Sequence, residues 1–243
     1  MADFERTNIL DVRVDKITKA QALEEFRAYL DGDCCRLIVT PNAEIVEKAS
    51  KTPRLREIIN EQASMVLPDG VGLIYASKLK CDPIEEKVAG IEFAHAAIEL
   101  CSQLGRSVYL LGSKPGVAEQ AAENLQKELP DLRIAGCRDG YFAAEEEENI
   151  VRDINESGAD FLCVALGSPK QEYFVSDHMA DLNVKAAAGL GGSLDIWSGN
   201  LERAPQFYID HGLEWLYRMV QEPKRLKRLP ALPIFLIKAA TRR

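Results

Sequence analysis

Several features that this 243-residue chain lacks narrow its class. Its six cysteines (Cys34, Cys35, Cys81, Cys101, Cys137, Cys163) form no C-x-x-C pair. Most sit in or beside apolar segments, where a free cysteine acts as a small hydrophobe, so neither a disulfide framework nor a zinc site is expected. The three histidines (His95, His178, His211) are far apart and lack metal-ligand spacing. They read as surface or packing residues. The longest apolar stretch near the end, 229–237, contains Pro230 and Pro233 and falls well short of the ~20 residues that span a bilayer. At the start, Met1-Ala2-Asp3-Phe4-Glu5-Arg6 has no charged segment leading into an apolar run, so no signal peptide is expected. The expectation is a cytoplasmic protein whose membrane contact, if any, is peripheral. Two nucleotide signatures are also missing: no G-x-x-x-x-G-K-[ST] occurs, and no G-x-G-x-x-G follows the first strand.

What is present is ordinary globular composition, 47% hydrophobic and 28% charged, in a length that suits one large domain or one domain with an appendage. The charge is unevenly spread. The whole chain carries −8, yet residues 218–243 hold eight basic residues and a single acid, Glu222, a local charge of about +7. These cations sit among Trp215, Leu216, Met219, Val220, Leu226, Leu229 and Ile234-Phe235-Leu236-Ile237. An acidic body with a basic, apolar tail suits work at a membrane surface or on an anionic substrate. A solvated C-terminal helix packed on the core accounts for the tail equally well from composition alone.

Short apolar runs recur at 36–40, 65–67, 108–111, 132–135, 161–166 and 184–188, with helix-like stretches near 18–30, 42–60, 70–79, 91–104, 115–129, 144–157 and 169–181. Continuous apolar strands alternating with helices predict an α/β fold, Rossmann-like, with a largely parallel sheet covered on both faces. Beyond Gly189 the alternation stops and the rest reads as helices. The division expected is a core over 1–200 and a helical appendage over 201–243.

In such a sheet ligands bind outside the carboxyl ends of the strands. The segments there are Thr40-Pro41-Asn42, Pro68-Asp69-Gly70, Gly112-Ser113, Arg138-Asp139-Gly140-Tyr141-Phe142, Gly167-Ser168-Pro169-Lys170-Gln171-Glu172 and Gly189-Leu190-Gly191-Gly192-Ser193-Leu194-Asp195. Glycine-rich turns entering helices offer backbone N–H groups to phosphate oxygens. So many on one edge point to a nucleotide or another phosphorylated ligand. The single D-x-D, Asp31-Gly32-Asp33, precedes a strand and so lies on the opposite edge, where it reads as an Asp-Gly turn; no metal is implied. Asp69 fits a helix N-cap, the commoner role, or a general base at a strand end.

These loops also carry a resemblance. Thr40-Pro41-Asn42-Ala43-Glu44, Pro68-Asp69-Gly70-x-Gly72, Val88-Ala89-Gly90, Gly140-Tyr141-Phe142, Gly167-x-Pro169-Lys170-Gln171-Glu172, Gly191-Gly192-x-x-Asp195 and Arg203-Ala204-Pro205 occur in order, followed by 212–218, Glu222-Pro223 and Arg225. Together, over about 8–238, they resemble the WecG/TagA/CpsF glycosyltransferase family, which includes the N-acetylmannosaminyltransferases of teichoic acid and enterobacterial common antigen synthesis. The resemblance implies inverting transfer of an N-acetylhexosamine from a UDP-sugar to a polyprenyl-diphosphate-linked GlcNAc acceptor, without a metal or other cofactor. It implies a membrane-reaching C-terminal appendage that completes the active site on the inner face of the cytoplasmic membrane. Asp69 then matches the catalytic base, with Thr40, Asn42 and Gln171 as polar pocket residues. Gly112, Gly140, Tyr141, Gly167, Pro169, Lys170, Gly191, Gly192 and Asp195 fall to the nucleotide site, and Lys87, Arg203, Arg218, Arg225 and Arg228 to the diphosphate. Lys87 stands where the pattern leads one to expect arginine; it keeps the charge and loses the bidentate fork. No nucleic-acid partner is expected, and a homo-oligomer is compatible with the reading. Two alternatives stay open from the residues alone: a nicotinamide-dependent sugar-nucleotide oxidoreductase, which lacks its fingerprint here, and a non-enzymatic, membrane-recruited nucleotide-sugar-binding protein.

Overall fold

The computed structural model describes residues 4–214, 216–217 and 231–241. An antiparallel hairpin comes first, β1 (Arg6–Ile9) and β2 (Val12–Asp15), with Leu10 and Asp11 at φ 54° and 65° in its two-residue turn. There follow α1 (Lys19–Leu30), β3 (Arg36–Val39), α2 (Ala43–Ala49), α3 (Pro53–Glu57), a π-helical turn (Ile58–Gln62), β4 (Met65–Val66), α4 (Val71–Leu79) and α5 (Gly90–Gln103). The chain continues through β5 (Ser107–Gly112), α6 (Val117–Glu128), β6 (Arg133–Arg138), α7 (Glu147–Ser157), β7 (Phe161–Ala165), α8 (Lys170–His178), β8 (Ala186–Gly189), α9 (Ser193–Trp197) and α10 (Gln206–Asp210). The last described helix is α11 (Ala231–Thr241).

Each expected strand is present, and β6 runs on to Arg138. The helix expected across 42–60 is broken. Pro53 pushes the residue before it out of the helical region, and Thr52 is extended (φ −120°, ψ 97°), so α2 ends at Ala49 and α3 begins on Pro53.

The main sheet has the order β4-β3-β8-β7-β5-β6, and each neighbouring pair is parallel. Side chains alternate across it. Leu37, Val39, Val66, Leu111, Leu162 and Val164 enter one core, while Ile38, Met65, Leu110, Phe161 and Cys163 enter the other. In the second core Phe26 meets Phe93 and Phe161 edge-on, with centroids 5.9 and 4.8 Å away. Such edge-to-face pairs add stabilisation beyond the area they bury. The edge strand β4 is tied to the hairpin: the buried Asp15 carboxylate accepts the Val66 N–H at 2.8 Å, within ion-pair range of Arg6 and Arg13. This satisfies an edge N–H that would otherwise be open to another strand.

The chain leaves β3 toward the β4 edge, crosses to lay down β5 and β6, and returns inward through β7 to β8. The loops after β3 and β8 thus diverge where the two halves of the sheet meet, the place where open parallel sheets bind ligands. The α11 helix returns against α4 and α2, burying Phe235 and Ala239 in the first core and pairing Lys238 with Glu47.

Candidate active site

A cavity of about 570 Å³ opens at the β3/β8 divide. Thr40 and Asn42 line it from the loop after β3, Asp69 and Gly70 from the loop after β4, Gly167 and Ser168 from the loop after β7, and Leu190 to Ser193 from the loop after β8. Gln171 on α8, Glu214 and Leu232 of α11 complete its walls. The four residues expected to do the chemistry, Asp69, Thr40, Asn42 and Gln171, therefore face one space although they span positions 40 to 171.

Each is held by a specific contact. The Thr40 hydroxyl donates to the Gly189 carbonyl at 2.8 Å, tying the ends of β3 and β8 together. Gly90 makes room for it, since a Cβ there would lie 2.9 Å from Thr40 Oγ1. Asn42 caps α2, its Oδ1 accepting from the Glu44 and Ile45 N–H groups at 3.0 and 3.1 Å. That leaves its Nδ2 as the donor for a ligand. Asp69 donates its N–H to the Pro41 carbonyl at 3.2 Å. It is not the cap of α4: that position is Gly70, at φ 85°, and no side chain caps the helix. Gln171 is 2% exposed, and its Oε1 accepts the Gly191 N–H at 3.0 Å.

Four helices begin at this cavity without side-chain caps: α4, α5 after Ala89, α8 after Pro169 and the short α9 after Gly192. Uncapped first-turn N–H groups carry partial positive charge and suit phosphate oxygens. Lys48, unremarked in the sequence, adds a cation at the wall, its Nζ donating to the Ser168 carbonyl at 3.0 Å. Glu172, the next residue, is also buried, behind the Gln171 side chain. Nothing in the sequence distinguishes it from an exposed first-turn acid.

Of the residues expected at the nucleotide, Gly167, Gly191 and Gly192 line the cavity. Gly112, Gly140 and Asp195 gather beside it: Ser113 Oγ donates to Asp195 Oδ1 at 2.9 Å, and the Gly140 N–H donates to the Ser113 carbonyl at 2.9 Å. Tyr141 is exposed there, with its N–H on Asp139 Oδ1, while Pro169 and Lys170 start α8 with Lys170 exposed. Of the expected diphosphate residues, Lys87 Nζ is paired to Glu214 Oε2 at 2.7 Å, one residue from the cavity, and Arg203 is paired to Glu92 on α5. Arg218, Arg225 and Arg228 lie outside the described residues. Asp31 closes α1 and pairs with Arg106 at 3.0 Å, so the D-x-D lies on the opposite edge from the cavity, as expected.

Residues 7–243 match the glycosyl transferase WecG/TagA/CpsF family. The chain belongs to that family. An N-acetylglucosaminyldiphosphoundecaprenol N-acetyl-beta-D-mannosaminyltransferase of Bacillus spizizenii is 35% identical over 205 residues, covering 84% of this chain and 79% of the relative. One with the same name from Staphylococcus aureus strain MRSA252 is 33% identical over 237 residues, covering 97% and 92%. Family membership sets the oxidoreductase alternative aside, and the protein is a glycosyltransferase.

Proposed function

We propose that this protein transfers an N-acetyl-β-D-mannosaminyl group from a UDP-activated donor to the GlcNAc of an undecaprenyl-diphosphate-linked acceptor. The observation that carries the reading is that Asp69 lines one cavity with Thr40, Asn42, Gln171 and the uncapped starts of α4 and α5. In an inverting displacement, the acceptor hydroxyl attacks the anomeric carbon as its proton passes to the Asp69 carboxylate. The C–O bond to the phosphate breaks, and UDP leaves with the electron pair. Negative charge then grows on the leaving diphosphate. N–H groups already aimed at such a site are the effective stabilisers, each worth roughly 10²–10³ in rate where tested in other enzymes. The uncapped starts of α4, α5 and α8, with Lys48 and Lys87, supply the opposing positive charge without a metal. The nucleotide extends toward Gly112, Gly140, Tyr141 and Asp195.

A lipid-linked acceptor supports peripheral work at the cytoplasmic membrane. No helix among the described residues is long and apolar enough to cross it. Exposed Ile234 and Ile237 on α11, with Phe207 and Leu216 nearby in sequence, offer apolar side chains to the interface.

The test is transfer from UDP-N-acetylmannosamine to a soluble lipid-diphosphate-GlcNAc analogue, with and without EDTA, in wild type and Asp69→Asn. Turnover should be unchanged by EDTA and should fall about 10²–10⁴-fold in Asp69→Asn, with UDP affinity by calorimetry nearly intact. Near-normal turnover in the variant removes Asp69 as the base. Loss of activity on chelation removes the metal-free reading.

A further inference from the structure

Gln171 and Glu172 open α8, 2% and 1% exposed. A buried carboxylate is expensive unless its oxygens are partnered. Here Glu172 Oε1 accepts from Gln171 Nε2 at 2.9 Å, while Oε2 has no hydrogen-bond partner among the described residues and no contact with solvent. Burial pushes this carboxyl above the usual glutamate range, against the opposing pull of Gln171, Ser168 and Lys48. A methionine of similar volume would fill the space without that cost, so packing alone does not explain a glutamate.

The explanation lies on its other side. The Gln171 amide is gripped at both ends, Nε2 on Glu172 and Oε1 on the Gly191 N–H. It also lies flat against β8, where a Cβ at Gly189 would stand 2.7 Å from Nε2. A flipped amide would set its oxygen against the carboxylate and its NH₂ against the Gly191 N–H, two repulsions in a dry site. We infer that Glu172 is the positioning residue of the transfer site: it fixes which end of the Gln171 amide meets Gly191. One Nε2 hydrogen then remains for an acceptor oxygen of the bound substrate, a sugar hydroxyl or a phosphoryl oxygen. The same contact sets the Gly189–Gly192 turn that walls the cavity. Glu172 touches no substrate and acts only through its neighbour. The inference rests on the transfer reading given above.

The experiment compares Glu172→Met, Glu172→Gln, Gln171→Leu and the double variant Glu172→Met/Gln171→Leu in the full chain. Melting temperature, kcat and KM are read for each. Glu172→Met should melt at or above wild type, yet lose kcat by roughly 10- to 100-fold, the scale of a small misplacement of a reacting group. Glu172→Gln keeps an acceptor oxygen for Gln171 and should recover kcat to within about threefold. In the Gln171→Leu background Glu172→Met should cost nothing further in kcat, because the two act as a unit. A normal kcat in Glu172→Met overturns the inference. So does a kcat loss that only tracks a lower melting temperature, or an equal loss with and without Gln171. A second readout is independent of turnover: with glutamine ¹⁵N labelling, the Gln171 Nε2 proton held by Glu172 should be protected from exchange in wild type and unprotected in Glu172→Met. If no sugar is transferred by wild type but this contrast appears, the transfer reading fails and the positioning stands. If protection is the same in both, the positioning fails whatever the activity.

Discussion

The contact between Gly90 and Thr40 can be broken with one methyl group. In Gly90→Ala the new Cβ would lie 2.9 Å from Thr40 Oγ1, 3.0 Å from its Cβ and 3.2 Å from its Cγ2. Ordinary carbon contacts are ~3.5–4.0 Å, so something must move by several tenths of an ångström. Neither side yields easily: Thr40 directly follows a central strand and is 6% exposed, and Gly90 begins α5, about one turn from the buried Phe93 and two from the buried Ala97. Overpacking of this kind costs ~1–3 kcal/mol, offset in part by the ~0.5–1 kcal/mol that alanine gains over glycine in a helix. The net loss should be about 1–2 kcal/mol, or roughly 3–6 °C in melting temperature for a chain of this length. Relief comes most easily by swinging Thr40 off the Gly189 carbonyl, so kcat should fall about 10-fold or more. Calorimetry and the transfer assay on Gly90→Ala, Thr40→Ala and the double variant form a cycle that isolates the clash. Thr40→Ala removes two of the three crowded atoms, so the double variant should be more stable than the summed singles predict, by about 0.5–1 kcal/mol. Strict additivity, or a fully active Gly90→Ala, would refute the steric account.

Two further predictions concern contacts made by the C-terminal part of the chain. Glu214→Gln releases Lys87 from its carboxylate partner and should tighten UDP or inorganic diphosphate binding several-fold in calorimetry; unchanged or weaker binding means Lys87 does not serve the anion. Glu47 is held below its ordinary value of 4.5: burial opposes ionisation, and hydrogen bonds from Lys238 and Lys51 outweigh it. A carboxyl lowered in the folded state stabilises above its ordinary pKa and loses that contribution as pH falls through the lowered value. Hydrogen exchange of α11 should therefore accelerate as pH drops below about 4.5, beyond the intrinsic rate change, and Glu47→Gln should flatten the response.

The parallel sheet was legible because each strand is a continuous apolar run, and the site because ligand loops in such a sheet follow the strands. By that logic Thr40, Asn42 and Asp69 fall on one edge from the sequence alone. The β1–β2 hairpin was not legible. Its turn is Leu10-Asp11, with neither the asparagine nor the glycine that usually marks positive φ. The break at Pro53 was written in the sequence, but the apolar spacing on either side suggested one helix. Glu172 illustrates the harder limit: an acid in a first turn looks solvated, and only the third dimension shows that Gln171 and β8 enclose it. The Lys87–Glu214 pair, 127 positions apart, is likewise set by tertiary packing alone.

The position of β8 has a consequence for the order in which the protein is assembled. It is inserted between β3 and β7, pairing Arg36 with Ala186 across 150 positions, so the β3–β4 half and the β7–β5–β6 half share no strand pairing until the ribosome has passed Gly189. Domains form as their last obligatory segment emerges, and long-range pairings form slowly because the loop they close is large. The Thr40–Gly189 bond and the Gln171–Gly191 bond belong to that final closure. A nascent chain that ends before residue 186 can hold α1, the hairpin and much of both cores, yet it has no cavity. Substrate cannot template the early steps, and the binding site becomes a product of the last strand to arrive.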